Sequence, residues 1–196
     1  MGVILASGSP RRRELLREIC VEFRVVPSEI EERLDGPATP ESVAALALAK
    51  ARAVAERVGE GVVLGADTVV VVDGVALGKP AGVEDAKAML RQLRGRAHEV
   101  ITGVAVVEAT SGRVESTAVV TRVSMADVGD EVIDAYVATG EPLDKAGAYA
   151  VQGVGAALVV TVSGSYSNVV GLPLAATAGL LRNFGVAVTF PLDPVA

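Results

Sequence analysis

Apolar and polar positions change period along the chain, and each change marks an element. Val3 to Ala6 is a short apolar run that predicts a strand over 3–6. Small residues at 7–9 break it, and the Leu15-Leu16 pair beyond predicts a helix over about 10–19, with Ser9 as N-cap and Pro10 in its first position. A second short strand is predicted near 23–26, then a loop carrying Glu29, Glu31 and Glu32 and bounded by Pro37 and Pro40. Glu41 to Val58 reads as a long Ala-rich helix. Val62 to Val72 is strongly strand-like, and Asp73-Gly74 is a hairpin turn into a short partner at 75–77. A helix over about 83–93, strands over about 97–108 and 113–124, and a helix over about 129–138 follow. The stretch 139–155 has no period, a strand is predicted at 156–163, and after a Gly/Ser-rich loop the last helix runs from Pro173 to Asn183. Alternating strands and helices with hairpins mixed in predict an α/β or α+β fold on a mixed sheet. Neither an internal repeat nor a linker divides the chain, which reads as a single domain over 1–196.

Composition narrows the function classes. Only 3% of residues are aromatic, which argues against platforms that stack nucleobases. A net charge of −6 argues against nonspecific duplex binding, so no nucleic-acid polymer is expected as partner. One cysteine, Cys20, and one histidine, His98, exclude an intrachain disulfide and any metal site built on two histidines. Cys20 reads as core filling and His98 as structural. No apolar run approaches the ~18 residues that span a bilayer, and no signal peptide is evident, so a cytoplasmic protein away from membranes is expected.

Two positions are chemically out of place. Arg11, Arg12 and Arg13 fall on the first turn of a helix, the end already made positive by the macrodipole and unpaired N–H groups. Either they form a solvated basic patch, or an anion such as phosphate sits there and reverses the sign of the interaction. Asp67 interrupts the apolar run 61–72. It is either exposed at a bulge marked by Gly65, or a metal ligand or general base at the carboxyl end of a strand. Lys79 is expected at the same end of the sheet, and Lys50 taken alone reads as a solvated helix face. The segment Glu141 to Gly153 mixes charge, Tyr149 and Gln152, which suits hydrogen bonding to a small polar ligand. Together these residues suggest metal-assisted phosphate chemistry, in which cations neutralise phosphates and carboxylates hold a divalent ion.

The blocks Leu5-Ala-Ser-Gly-Ser-Pro-Arg-Arg12, Glu31-Glu32, Gly65-Ala-Asp-Thr68, Gly78-Lys79-Pro80, Gly95-Arg96-x-His98 with Thr102-Gly103, Glu141 to Gly153, and Gly171-Leu-Pro173 run in order across almost the whole chain. The set resembles the Maf family of nucleoside triphosphate pyrophosphatases. The resemblance implies an elongated, twisted mixed sheet flanked by helices, with two lobes around a cleft, related to the inosine triphosphatase fold. It implies hydrolysis of a nucleoside triphosphate to monophosphate and pyrophosphate with a divalent metal (Mg²⁺ or Mn²⁺), commonly in a homodimer, and an association with septum formation. By the same resemblance Asp67 is the catalytic proton acceptor or a metal-linked carboxylate, with Glu32 near the metal. Ser7, Arg12, Lys50 and Lys79 match positions that hold phosphates. The pocket positions Arg11, Thr68 and Gln152 resemble the dTTP/UTP branch, whereas the branch acting on 7-methyl-GTP carries Trp, Gln and Glu there. Leu48, where relatives often carry Glu, departs from the pattern at a position with no implied role. The expected reaction is water attack on the α-phosphorus, and Asp67→Asn is expected to remove turnover with folding intact. The alternative is a regulator that binds triphosphates without hydrolysing them.

Overall fold

In the computed structural model the described residues are 2–19, 22–30, 34 and 36–189. Cys20, Glu31 and Glu32, and with them the core role expected of the first and the acidic roles expected of the others, lie outside this set.

The chain opens with strand β1 (Val3–Leu5), helix α1 (Pro10–Arg17) and strand β2 (Phe23–Val25), which pairs parallel to β1. Ser9 caps α1 by accepting the N–H of Arg12, and Pro10 stands at its start, so the local sequence chemistry sets this helix. Helix α2 (Pro40–Val58) begins in a capping box between Thr39 and Ser42 and stops at Gly59, whose φ of 73° suits glycine. Strand β3 (Val62–Val72) then runs parallel to β1 and turns into β4 (Val75–Leu77). Helix α3 (Val83–Leu93), the long hairpin β5 (Ala97–Glu108) and β6 (Val114–Met125), and helix α4 (Asp130–Ala138) follow. Three 3-10 turns, at Glu141–Asp144, Ala146–Ala148 and Gly153–Leu158, lead into β7 (Val159–Ser163), α5 (Tyr166–Val170) and α6 (Leu174–Asn183). The strands form one mixed sheet in the order β2-β1-β3-β5-β6-β7, with β4 added to β3.

Two elements differ from the pattern-based expectation. The residues 156–158 continue a 3-10 turn and β7 starts at Val159. The Gly/Ser-rich loop contains α5, which Ser165 caps by accepting the N–H of Asn168.

The strand alternation of β3 sorts the core. Its residues Val62, Leu64 and Ala66 join a cluster with α1 and α6, and Val70 and Val72 join a second cluster with α3 and α4. These share one face by the two-residue period, and only Thr68 separates the clusters along the strand. The opposite face is covered by α2, through Ala47, Ala51 and Val54.

One edge of β3 is continuously paired with β5 from Val62 to Val71. On the other edge β1 pairs only as far as Leu64, and β4 begins at Val70. Residues 65–69 therefore face a gap between two strands, and Asp67 lies at its centre. This corrects the two placements expected for it. Asp67 is 5% exposed and sits mid-strand, with no register break at Gly65. The gap, not a strand end, opens it to the outside.

Candidate active site

A cavity of about 350 Å³ fills the gap. The turn after β1 and the start of α1 bring Ser7, Arg11 and Arg12 to it, β3 brings Asp67 and Thr68, and the segment after β4 brings Lys79. The 3-10 region closes the far side with Asp144, Lys145, Tyr149 and Gln152. Seven of the nine residues singled out in the sequence thus meet at one cavity (Ser7, Arg11, Arg12, Asp67, Thr68, Lys79 and Gln152). Lys50 stands behind it and Glu32 is outside the described residues.

Lys50 is not on a solvated face. It belongs to the buried stripe Val43, Ala47, Lys50, Ala51 and Val54 of α2, is 2% exposed, and its Nζ lies 2.6 Å from Asp67 Oδ1. Burying two charges is costly, and a short, hydrogen-bonded ion pair offsets that cost. The pair is possible because α2 lies close on the sheet. A Cβ at Gly65 would come within 2.3 Å of the Ala47 carbonyl oxygen, and one at Gly103, opposite Asp67 on β5, within 2.4 Å of that of Val43.

Arg12 is held at both ends of its guanidinium. Its Nε donates to the Gly171 carbonyl at 2.9 Å, Nη1 to Ser7 Oγ at 3.2 Å and Nη2 to Thr68 Oγ1 at 3.1 Å. Thr68 Oγ1 in turn lies 2.9 Å from Thr102 Oγ1, which donates to the Asn168 carbonyl at 3.0 Å. The Asn168 amide donates to the Val100 carbonyl and to Thr121 Oγ1. A buried polar chain thus runs from Arg12 across three strands. Asn168 was hidden in a segment read as a loop; its signal was the Ser165-x-x-Asn168 spacing of a helix start.

On the far wall Asp144 bonds Lys145 and reaches Arg11 at 3.5 Å. Burial works to raise the Asp144 pKa, but the hydrogen bond and charge of Lys145, with the charge of Arg11, outweigh it and hold it below the usual carboxylate value. His98 is 3% exposed, its Nε2 lies 2.7 Å from the Tyr149 hydroxyl, and burial pushes its pKa down to about 4. A neutral imidazole bracing a cavity-wall tyrosine is the structural part expected of it. Burial likewise raises the Tyr149 pKa, which keeps its hydroxyl protonated.

The site's electrostatics favour a polyanion: Arg11 and Arg12 on the first turn of α1 and Lys79 and Lys145 from other walls line one cavity with two carboxylates, of which Asp67 is buried. A sequence model of the Maf-like protein family matches residues 2–184. The chain belongs to the Maf family. It is 55% identical over 193 residues to the dTTP/UTP pyrophosphatase of Anaeromyxobacter dehalogenans, covering 97% of this chain and 95% of that protein. The protein of the same name from Moorella thermoacetica is 52% identical over 187 residues, 95% of this chain and 96% of that one. That of Pelotomaculum thermopropionicum is 50% identical over 187 residues, 95% and 98%. The structure of the Staphylococcus aureus Ham1 protein overlaps 65% of this chain and 73% of its own, with a TM-score of 0.45 at 14% identity.

Proposed function

We propose that this Maf protein hydrolyses dTTP and UTP to the nucleoside monophosphate and pyrophosphate. The observation that carries the reading is a buried carboxylate, Asp67, on the wall of a cavity that is also lined by two arginines from the start of a helix and by Lys79 and Lys145. Family membership and relatives of about half-identical sequence support the same reaction.

In this proposal the triphosphate lies with its β and γ groups toward α1. Ser7, Arg12 and Lys79 hold those groups, and their charge stabilises the pyrophosphate as it leaves. Asp67 accepts a proton from a water that attacks the α-phosphorus. The new bond joins water oxygen to phosphorus, the α–β bridging bond breaks, and its electron pair leaves on pyrophosphate. Lys50 holds Asp67 in position from below and acts on the phosphates only through it, a narrower part than direct phosphate binding. Gln152, on the 3-10 side, meets the base edge with its amide, and Arg11 and Thr68, next to the phosphate-holding Arg12, complete the nucleoside selection.

The donor set suits a magnesium or manganese ion. Such ions need only one or two carboxylates when substrate phosphates and water complete the shell. Among the described residues there is no cluster of three or more His, Cys, Asp or Glu side chains. Asp67 would supply one hard oxygen ligand, and Glu32 is proposed as the second. When bound, the ion lowers the pKa of water and withdraws charge from phosphoryl oxygens.

We also propose a homodimer working in the cytoplasm. Among the described residues no helix is long and apolar enough to cross a membrane. Sedimentation equilibrium distinguishes a dimer from the 20.0 kDa chain.

The deciding experiment is product analysis with Mg²⁺ or Mn²⁺ against dTTP, UTP, CTP, GTP and 7-methyl-GTP. Monophosphate plus pyrophosphate from dTTP and UTP is expected. Orthophosphate as product overturns the site of attack, turnover of 7-methyl-GTP alone overturns the base preference, and no turnover by folded protein favours a binding regulator.

A further inference from the structure

The stretch from Ala150 to Gly155 carries Gln152 on the cavity wall, and both of its ends are tied to one pair of side chains. The hydroxyl of Tyr136, on α4 and 3% exposed, accepts the N–H of Ala150 at 3.1 Å and donates to Glu141 Oε1 at 2.9 Å. The Glu141 carboxylate accepts the N–H of Val154 at 3.0 Å and that of Gly155 at 2.8 Å. A Cβ at Gly155 would stand 2.5 Å from both the Ala150 carbonyl oxygen and the Tyr136 hydroxyl, so the two ends of the stretch are pressed together. Gln152 lies between the tied positions. Burial alone raises the Glu141 pKa, yet the N–H groups of Gly155 and Val154, the Tyr136 hydroxyl and the charge of Lys145 outweigh it and hold it below the usual carboxylate value.

A glutamine needs such a brace to discriminate between pyrimidines. Its amide offers an acceptor oxygen on one side and a donor NH₂ on the other. The uracil or thymine edge presents a donor N3–H beside an acceptor O4, and cytosine presents the reverse pair. The amide turns about its own side-chain bond, so the edge it favours is decided by the neighbours it meets, and a fixed backbone keeps those neighbours the same in every complex. Fixing the backbone also removes ordering entropy from the binding step.

We infer that Tyr136 and Glu141 are positioning residues for base selection: by tying residues 150, 154 and 155 they hold Gln152 in the pose that admits uracil or thymine and rejects cytosine. This rests on the base-reading role proposed for Gln152, and the test separates the two.

kcat and KM for UTP and CTP are measured in the wild type, Tyr136→Phe, Glu141→Gln, Gln152→Ala and Ile133→Val. The last trims a fully buried core residue of the same helix and serves as the control for simple destabilisation. In both clamp variants the UTP:CTP ratio of kcat/KM is expected to fall about tenfold, the scale of one lost buried hydrogen bond. The change sits mainly in KM, and Ile133→Val lowers Tm without moving the ratio. In the Gln152→Ala background, Tyr136→Phe adds no further loss. A ratio that falls in Gln152→Ala but holds in both clamp variants overturns the clamp alone. A ratio unmoved in Gln152→Ala overturns the base-reading role and the clamp's purpose with it. A ratio that drops with Tm in Ile133→Val as well reduces Tyr136 and Glu141 to ordinary structural parts.

Discussion

Asp67 and Lys50 form the contact that ties the proposed chemistry to the fold. Their side chains are 7% and 3% exposed, and the ammonium lies 2.6 Å from the carboxylate. Replacing Asp67 takes a hydrogen-bonded opposite charge away from the buried Lys50 ammonium, and losing such a contact costs up to about 3–5 kcal/mol. Asp67→Asn is therefore expected to lose turnover and also about 3 kcal/mol of stability, with the amide oxygen retaining part of the contact. The variant is still expected to fold, as the sequence implied, but with a smaller margin. Urea denaturation checks it: an unshifted midpoint would sink the claim that the pair is buried in solution. Adding Lys50→Met to Asp67→Asn should recover stability without recovering turnover. His98 is a second residue whose burial has a measurable sign. Its folded pKa of about 4 lies below the 6.5 of an ordinary histidine, so the unfolded chain takes up the proton first. Its contribution is fully present above pH 6.5 and is lost as the pH falls through about 4. At about 1.4 kcal/mol per unit the loss is on the order of 3 kcal/mol. His98→Gln offers Tyr149 a polar partner that does not titrate, so its stability should fall less steeply than the wild type's between pH 6.5 and 4. Parallel pH profiles would count against the assignment.

Helix α2 shows, at the scale of an element, what the sequence could and could not reveal. Its start and stop were readable from Thr39, Pro40 and Gly59, because caps act within a few residues. Its buried stripe was misread: Val43, Ala47, Lys50, Ala51 and Val54 follow the helical repeat, but Lys50 taken alone read as a solvated face, and its place on that stripe was the missed signal of pairing. The partner was not readable, since it comes from a strand whose neighbours are fixed by tertiary contacts. The same limit hid the position of Asp67 in a gap of the sheet, because sequence periodicity gives a strand's length and not where its partners end. The small element α5 was missed for a different reason: a Gly/Ser-rich composition outweighed a single capping serine. The close seating of α2 carries its own prediction. Gly103 lies opposite Asp67 and under the helix backbone, so a methyl group there must push α2 away from the sheet. Gly103→Ala is expected to cost about 1–3 kcal/mol, as overpacking generally does, and to weaken the Lys50–Asp67 contact. Turnover should therefore fall in Gly103→Ala even at temperatures where the variant remains fully folded. Full activity in a folded Gly103→Ala protein would separate helix seating from the site.

Over the whole molecule, the cleft is the place where two hydrophobic clusters on the same sheet face stop short of each other. One gathers α1 and α6 over the first half of β3, and the other gathers α3 and α4 over the second half. Arg11 and Asp144 face each other between these halves at 3.5 Å, but both are partly exposed, and such pairs contribute about 0–1 kcal/mol. In the proposed pose a bound triphosphate adds a far stronger link, with its phosphates against the α1 side and its base toward the 3-10 side. It must do so against a net charge of −6, so the attraction is local to the cationic mouth. An uncleavable UTP analogue with nitrogen in place of the α–β bridging oxygen, with magnesium present, is expected to raise stability by about 2.7 kcal/mol at a hundred times its Kd. For a domain of this size that is a Tm shift of about 5–11 °C. Uridine, which lacks the phosphates, should give a much smaller shift at the same concentration. Raising the salt from low to near molar shortens the Debye length to about 3 Å, so the analogue's shift should shrink while that of uridine holds. A shift indifferent to salt would mean that the arginines and lysines of the mouth are not what holds the phosphates. An equal shift from uridine would place the binding energy on the base side, and the two halves of the cleft would then be joined by something other than the triphosphate chain.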